Sequence, residues 1–164
     1  MSNIVHAYTD SSFSKEFNIA VCGYSIFYNS DNHKNISLCE NKISLSYLTE
    51  KNNIRGEIRG AINVLENCPL QSKVYLYTDC QCIVGLLSRR EKLEANNFIS
   101  KNKRNPLANL DLYKEFYKLS DQVNLKVVWL KGHTTGYSLT LEEKNFSFLD
   151  KAVRKYLREL INSK

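Results

Sequence analysis

The sequence predicts an α/β fold: a five-stranded mixed sheet, three antiparallel strands followed by two parallel ones, with helices on both faces. Two observations carry this expectation. Residues 4–46 hold three β-rich segments in succession, broken by turn residues and by nothing helical. From residue 54 onward, apolar spacings of helical and strand type alternate along the chain.

The first strand is read at 4–10, Ile-Val-His-Ala-Tyr-Thr-Asp, and the second at 18–28, where Ile19, Val21, Tyr24, Ile26 and Phe27 are β-formers. Asn29-Ser30-Asp31-Asn32 is a turn cluster. Residues 35–46 alternate, with Ile36, Leu38, Ile43 and Leu45 between polar neighbours, which predicts a third strand with one face in water. The period then changes. Ile54, Ile58, Ala61, Ile62 and Leu65 fall on one helical face, Asn52 and Asn53 offer caps, and Pro69 closes the element. Lys73–Thr78 is a short strand, and Ile83, Val84, Leu86 and Leu87 make a short helix after Asp79. Residues 88–108 are basic, polar and poorly periodic. Leu112, Tyr113, Phe116, Tyr117 and Leu119 mark an amphipathic helix, 125–130 a fifth strand, 131–145 a loop, and Phe146, Leu149, Val153, Leu157, Leu160 and Ile161 a final helix.

The chain has 164 residues, 43% hydrophobic and 24% charged, which suits a single domain over 1–164 and excludes global disorder. With 6 Gly and 2 Pro it is neither collagen-like nor linker-rich. No apolar run reaches the length of a membrane span, and the first ten residues lack the charged and apolar regions of a signal peptide. Cys22, Cys39, Cys68, Cys80 and Cys82 are an odd set, with no two pairs at zinc spacing. Reduced thiols, a cytoplasmic location and a monomer are expected.

Four acids interrupt this pattern. Asp10 and Asp79 each end an apolar strand, in Tyr8-Thr9-Asp10 and Tyr77-Thr78-Asp79. Glu57 lies three residues after Ile54 and four before Ala61; Asp150 lies four after Phe146 and three before Val153. Both sit on apolar helical stripes. Singly, each could be a cap or a residue flanking its stripe. Together they are converging carboxylates, which repel unless cations neutralise them, and oxygen-only ligands suit Mg²⁺ or Mn²⁺.

The ordered set Tyr8-Thr9-Asp10, Asn53-x-Arg55-x-Glu57, Tyr77-Thr78-Asp79-x-Gln81, Lys131-Gly132-His133 and Asp150 resembles the type 1 ribonucleases H, over nearly the whole chain. The element order matches that ribonuclease H-like fold. The resemblance implies a metal-dependent endonuclease that cuts the RNA strand of an RNA–DNA hybrid, leaving 5′-phosphate and 3′-hydroxyl ends. It implies that Asp10, Glu57, Asp79 and Asp150 hold two Mg²⁺ ions (or Mn²⁺), ~4 Å apart in such sites. One ion would activate water and the other stabilise the leaving oxygen. His133, on a loop, would assist proton transfer or product release. Asn53 and Gln81, and more weakly Asn52, match positions that contact sugars in the minor groove.

The match frays in places. Ser11-Ser12 stands where the family has Gly, Ile54 occupies a slot often held by Asn, and the His133–Asp150 segment is long. Asn145 lies one residue before the family's usual Asn position. A non-catalytic or differently specific nucleic-acid-binding member of the superfamily is the alternative. Loss of one acid would mark the non-catalytic case, and none is missing.

The charge is +6 and clustered. Arg89, Arg90, Lys92, Lys101, Lys103 and Arg104 stand against Glu91 and Glu94, in the manner of the family's basic protrusion, and a second group, Lys151, Arg154, Lys155 and Arg158, lies on the final helix. Phe98, among the first group, would pack either on a sugar or locally. Basic clusters hold phosphates and release counterions. Replacing Lys101, Lys103 and Arg104 with Ala should therefore raise KM for a hybrid, leave kcat nearly unchanged, and cut the slope of log K against log salt by up to about 0.9 per lost contact. An unchanged slope in a salt titration would mark these three as a solvated face.

Overall fold

A computed structural model describes residues 3–28, 42–100, 106–131 and 139–164. In chain order the elements are β1 (Ile4–Ser14), β2 (Ile19–Tyr28), β3 (Ile43–Thr49), α1 (Asn53–Glu66), β4 (Lys73–Thr78), α2 (Gln81–Val84), α3 (Leu86–Ala95), α4 (Leu110–Ser120), β5 (Asn124–Trp129) and α5 (Leu141–Asn162). The sheet order is β3-β2-β1-β4-β5. β1, β2 and β3 pair antiparallel, and β4 joins β1 and β5 in parallel, as expected.

Successive strand residues point to opposite faces, and the core divides accordingly. Val5, Ala7, Val74 and Leu76 pack under α1 and α4, with Ile58, Ala61, Ile62, Leu65, Leu112 and Phe116. Tyr8, Val21, Phe27 and Tyr77 face the other way, onto Phe146, Leu149, Val153 and Leu157 of α5. Phe98 is buried in the first of these clusters, so its aromatic ring is a local packing contact and is not available to a sugar.

Four boundaries differ from expectation. β1 continues past Asp10 to Ser14, because its pairing with β2 runs unbroken from Val5 opposite Tyr28 to Ser14 opposite Ile19. Tertiary pairing, not local preference, extends Ser11–Ser14. β3 ends at Thr49, beyond the expected 46, and residues 35–41 lie outside the described residues. The stretch read as irregular after Leu87 is helical to Ala95. The final helix begins five residues early, at Leu141, because Thr140 and Glu143 form a reciprocal capping box. Ile54, expected on the apolar stripe of α1, is 41% exposed. The buried place in that turn belongs to Arg55, whose guanidinium donates to Glu50 Oε2 at 2.7 Å and to both oxygens of Asp111 at 2.9 and 2.8 Å.

α1 lies unusually close to the sheet. A Cβ on Gly56 would come 2.5 Å from Ser11 Oγ and 2.9 Å from Ala20 Cβ, and one on Gly60 would come 2.6 Å from Thr9 Oγ1. These two glycines, one helical turn apart, let the helix settle on β1 and β2 and bring Glu57 with it. Gly56→Val should be over-packed by about 1–3 kcal/mol and lower the Tm by several degrees in a thermal melt. A melt at or above the wild-type Tm would show that α1 has room to retreat.

Candidate metal centre

The two strand aspartates meet through register. Tyr8 of β1 lies opposite Tyr77 of β4. Each begins a Tyr-Thr-Asp triplet, so Asp10 and Asp79 emerge side by side two residues later. The turn after β4 is fixed from two sides. The Cys80 N–H donates to Thr78 Oγ1 at 3.0 Å, and the Trp129 indole N–H donates to the Asp79 carbonyl at 3.3 Å. Glu57 arrives from α1. One oxygen each of Asp10, Glu57 and Asp79 lies within 4.8 Å of the other two.

Asp10 and Glu57 are 4% and 6% exposed. They border a cleft of about 360 Å³ together with Asp79, Asn53, Asp150 and Arg154. Asp150, on α5, is not one of the three mutually close oxygens but shares a side-chain hydrogen bond with Asp10. Its Oδ2 accepts from Arg154 Nη2 at 2.6 Å. Burial, and then the charges of Glu57, Asp79 and Asp150, push the Asp10 carboxyl well above the usual carboxylate range. Burial, Asp79 and Asp150 do the same to Glu57. The site is therefore poised to bind either protons or cations.

The residues fit a hard divalent cation. Glu57 Oε2 is buried and accepts no hydrogen bond, which is costly for a carboxylate oxygen unless a cation faces it. The three clustered ligand atoms are all carboxylate oxygens, the kind preferred by Mg²⁺ and Mn²⁺.

Of the other residues singled out from the sequence, Asn53 is exposed and lines the cleft. Gln81 is exposed at the first position of α2. Asn52 caps α1, its side-chain oxygen accepting from the Arg55 N–H at 3.0 Å. His133, Lys101, Lys103 and Arg104 lie outside the described residues. Asn145 is fully buried, and its Nδ2 donates to the Tyr8 hydroxyl at 3.3 Å. That bond ties the α5 turn before Asp150 to the centre of the sheet. Ser11 and Ser12, which also line the cleft, were not singled out as site residues. Their place follows from the extension of β1, for which the sequence carries no periodic signal.

A raised folded-state carboxyl stabilises the protein only while it is protonated. The contribution is fully present below about pH 4 and is lost as pH rises through the folded value. Asn at position 10 cannot ionise. In EDTA, Asp10→Asn should melt close to wild type near pH 4 and increasingly above it toward pH 8. Mg²⁺ at pH 8 should restore the wild-type Tm and leave the variant little changed. A Tm difference that stays flat with pH would show that Asp10 carries no burial penalty.

Comparison with known proteins agrees with this geometry. The RNase H family model matches residues 2–155. Ribonuclease H of Desulforamulus reducens is 34% identical over 94 residues, 56% of this chain and 58% of that relative. Ribonuclease H of Orientia tsutsugamushi is 28% identical over 141 residues, 85% of this chain and 78% of the relative. Ribonuclease HI of Synechocystis is 29% identical over 133 residues, 80% and 78% of the two chains. A solved type 1 RNase H with the type 2 active-site motif shares the fold, with a TM-score of 0.68 and 16% identity over 93% of this chain and 71% of that one. No helix among the described residues is long and apolar enough to cross a membrane. With the family model spanning the sheet, both helical layers and three clustered acids, the chain belongs to the ribonuclease H family.

Proposed function

We propose that this protein is a metal-dependent endonuclease that hydrolyses the RNA strand of RNA–DNA hybrids, leaving 5′-phosphate and 3′-hydroxyl ends. The observation that supports it best is the convergence of Asp10, Glu57 and Asp79 within 4.8 Å in a chain of this family. Asp10, Glu57, Asp79 and Asp150 would hold two Mg²⁺ ions, with Mn²⁺ as a substitute. Such ions, when bound, make a water nucleophilic near neutral pH and stabilise charge on the phosphate and leaving oxygen.

The chain's own contribution is placement. Asp10 is fixed within a paired strand and Glu57 on a helix locked to that strand, so their oxygens need little reorganisation. Asn53, which lines the cleft, and Gln81, two residues after Asp79, would offer amide groups that can donate to and accept from the ribose 2′-hydroxyl, the feature that separates RNA from DNA. His133 would carry a proton to or from the reacting phosphate. Lys101, Lys103 and Arg104 would grip the DNA-strand phosphates.

The test is incubation of a labelled RNA–DNA hybrid, double-stranded RNA and double-stranded DNA with Mg²⁺, Mn²⁺ or EDTA. Only the RNA strand of the hybrid should be cut, and only with metal present. Asp79→Asn should reduce cutting to background with an unchanged circular-dichroism spectrum. Cleavage that survives EDTA, or equal cutting of a DNA duplex, would overturn the proposal.

A further inference from the structure

Asp150, an acid of the cleft, is paired with a cation of its own helix. Its Oδ2 accepts a 2.6 Å charge-assisted bond from the Arg154 guanidinium one turn along α5. The Asp150 side chain is 17% exposed and that of Arg154 45%, so the pair sits at the cleft mouth rather than on an open helix face. Arg154 is the cation among the described residues that line the cleft. Its acidic neighbours there are Asp10, Glu57 and Asp79, and Asp150 shares a side-chain hydrogen bond with Asp10.

We infer that Arg154 is a built-in counterion that competes with divalent metal for Asp150 and, once displaced, is passed to a backbone phosphate of the nucleic acid. This rests on the metal-binding reading of the four acids. Two cations cannot both neutralise one carboxylate at full strength. Without metal, the guanidinium offsets repulsion between Asp150 and the buried Asp10 and Glu57, both of which feel the Asp150 charge. With two divalent ions balancing the four acids, the same guanidinium would stand half-exposed as the net positive charge at the cleft edge. There its planar fork matches a phosphate, which is the kind of group such a cleft attracts. Lys151 and Lys155 on the same helix are exposed, so the displaced Arg154 would join an existing basic surface.

A purely structural i,i+4 pair makes a different prediction, because its loss leaves metal affinity unchanged. The decisive measurement is therefore calorimetric titration with Mn²⁺ alone, free of nucleic acid. Arg154→Ala should bind Mn²⁺ about two- to fivefold more tightly than wild type, the range set by a partly exposed ion pair. Arg154→Lys, which keeps the charge and loses the fork, should fall between. With Mg²⁺ and a labelled hybrid, Arg154→Ala should raise KM several-fold and lower the slope of log KM against log salt by up to about 0.9. Arg154→Gln keeps side-chain length and serves as the second variant if the alanine protein folds poorly. Unchanged or weaker Mn²⁺ binding in Arg154→Ala and Arg154→Gln would overturn the counterion assignment. Tighter Mn²⁺ binding with an unchanged KM and salt slope would overturn the transfer to phosphate. Failure of the wild type to cut hybrids would instead strike at the proposed activity, since the Mn²⁺ comparison needs no cleavage.

Discussion

Like charges brought together out of water are the constraint around which this molecule is arranged. Asp10, Glu57 and Asp79 approach within 4.8 Å, and two of the three are almost wholly buried. Left to themselves they would separate or take up protons. They stay because the elements carrying them are fixed by interactions remote from the charges. The β1–β2 ladder holds Asp10, the Gly56 and Gly60 contacts hold α1 against β1, and the Trp129 and Thr78 hydrogen bonds hold the turn at Asp79. The repulsion is thus held in a rigid frame instead of relaxing it, and a divalent cation bound there would relieve it.

Much of this was legible in the sequence, for identifiable reasons. Burial on both faces of β1 and β4 leaves continuous apolar runs, and the acids at their ends are conspicuous for that reason. Glu57 and Asp150 broke apolar stripes of period 3.6, which sequence spacing exposes directly. What could not be read were features set by partners distant in the chain. Ser11–Ser14 is a strand because β2 pairs with it, and Ser11 and Ser12 reach the cleft as a result. The 141–145 turn of α5 has little apolar pattern of its own, and its signal was the Thr140-x-x-Glu143 box. Arg55 reads as a polar neighbour of the helix stripe, yet it is buried because Glu50 and Asp111 both accept from it.

That Arg55 junction is the counterpart of the acid cluster. Glu50 precedes α1, Arg55 lies in its first turn, and Asp111 opens α4. The bidentate bond with Arg55 holds the Asp111 carboxyl down at about 2, and Arg59 adds a further contact to Glu50. Asp111 is largely exposed, so this pair contributes geometry more than net stability. Its value lies in position. It ties the N-terminal turn of α1, two residues before Glu57, to the segment before the helix and to α4.

On the proposed function, the same electrostatics would couple metal to nucleic acid. A phosphate backbone cannot approach Asp10, Glu57, Asp79 and Asp150 while all are ionised and unscreened, since each adds repulsion in a cleft where two are shielded from water. Two divalent cations would cancel that charge, and their direct contact with phosphate oxygens would supply the attraction. By thermodynamic linkage, the factor by which metal tightens phosphate binding equals the factor by which the phosphate tightens metal binding. A weak metal site in the free protein and a strong one in the complex then require no conformational switch. Charge balance alone would supply the coupling, and the rigid frame around the acids would let it act on a bound phosphate instead of being absorbed by movement of the side chains.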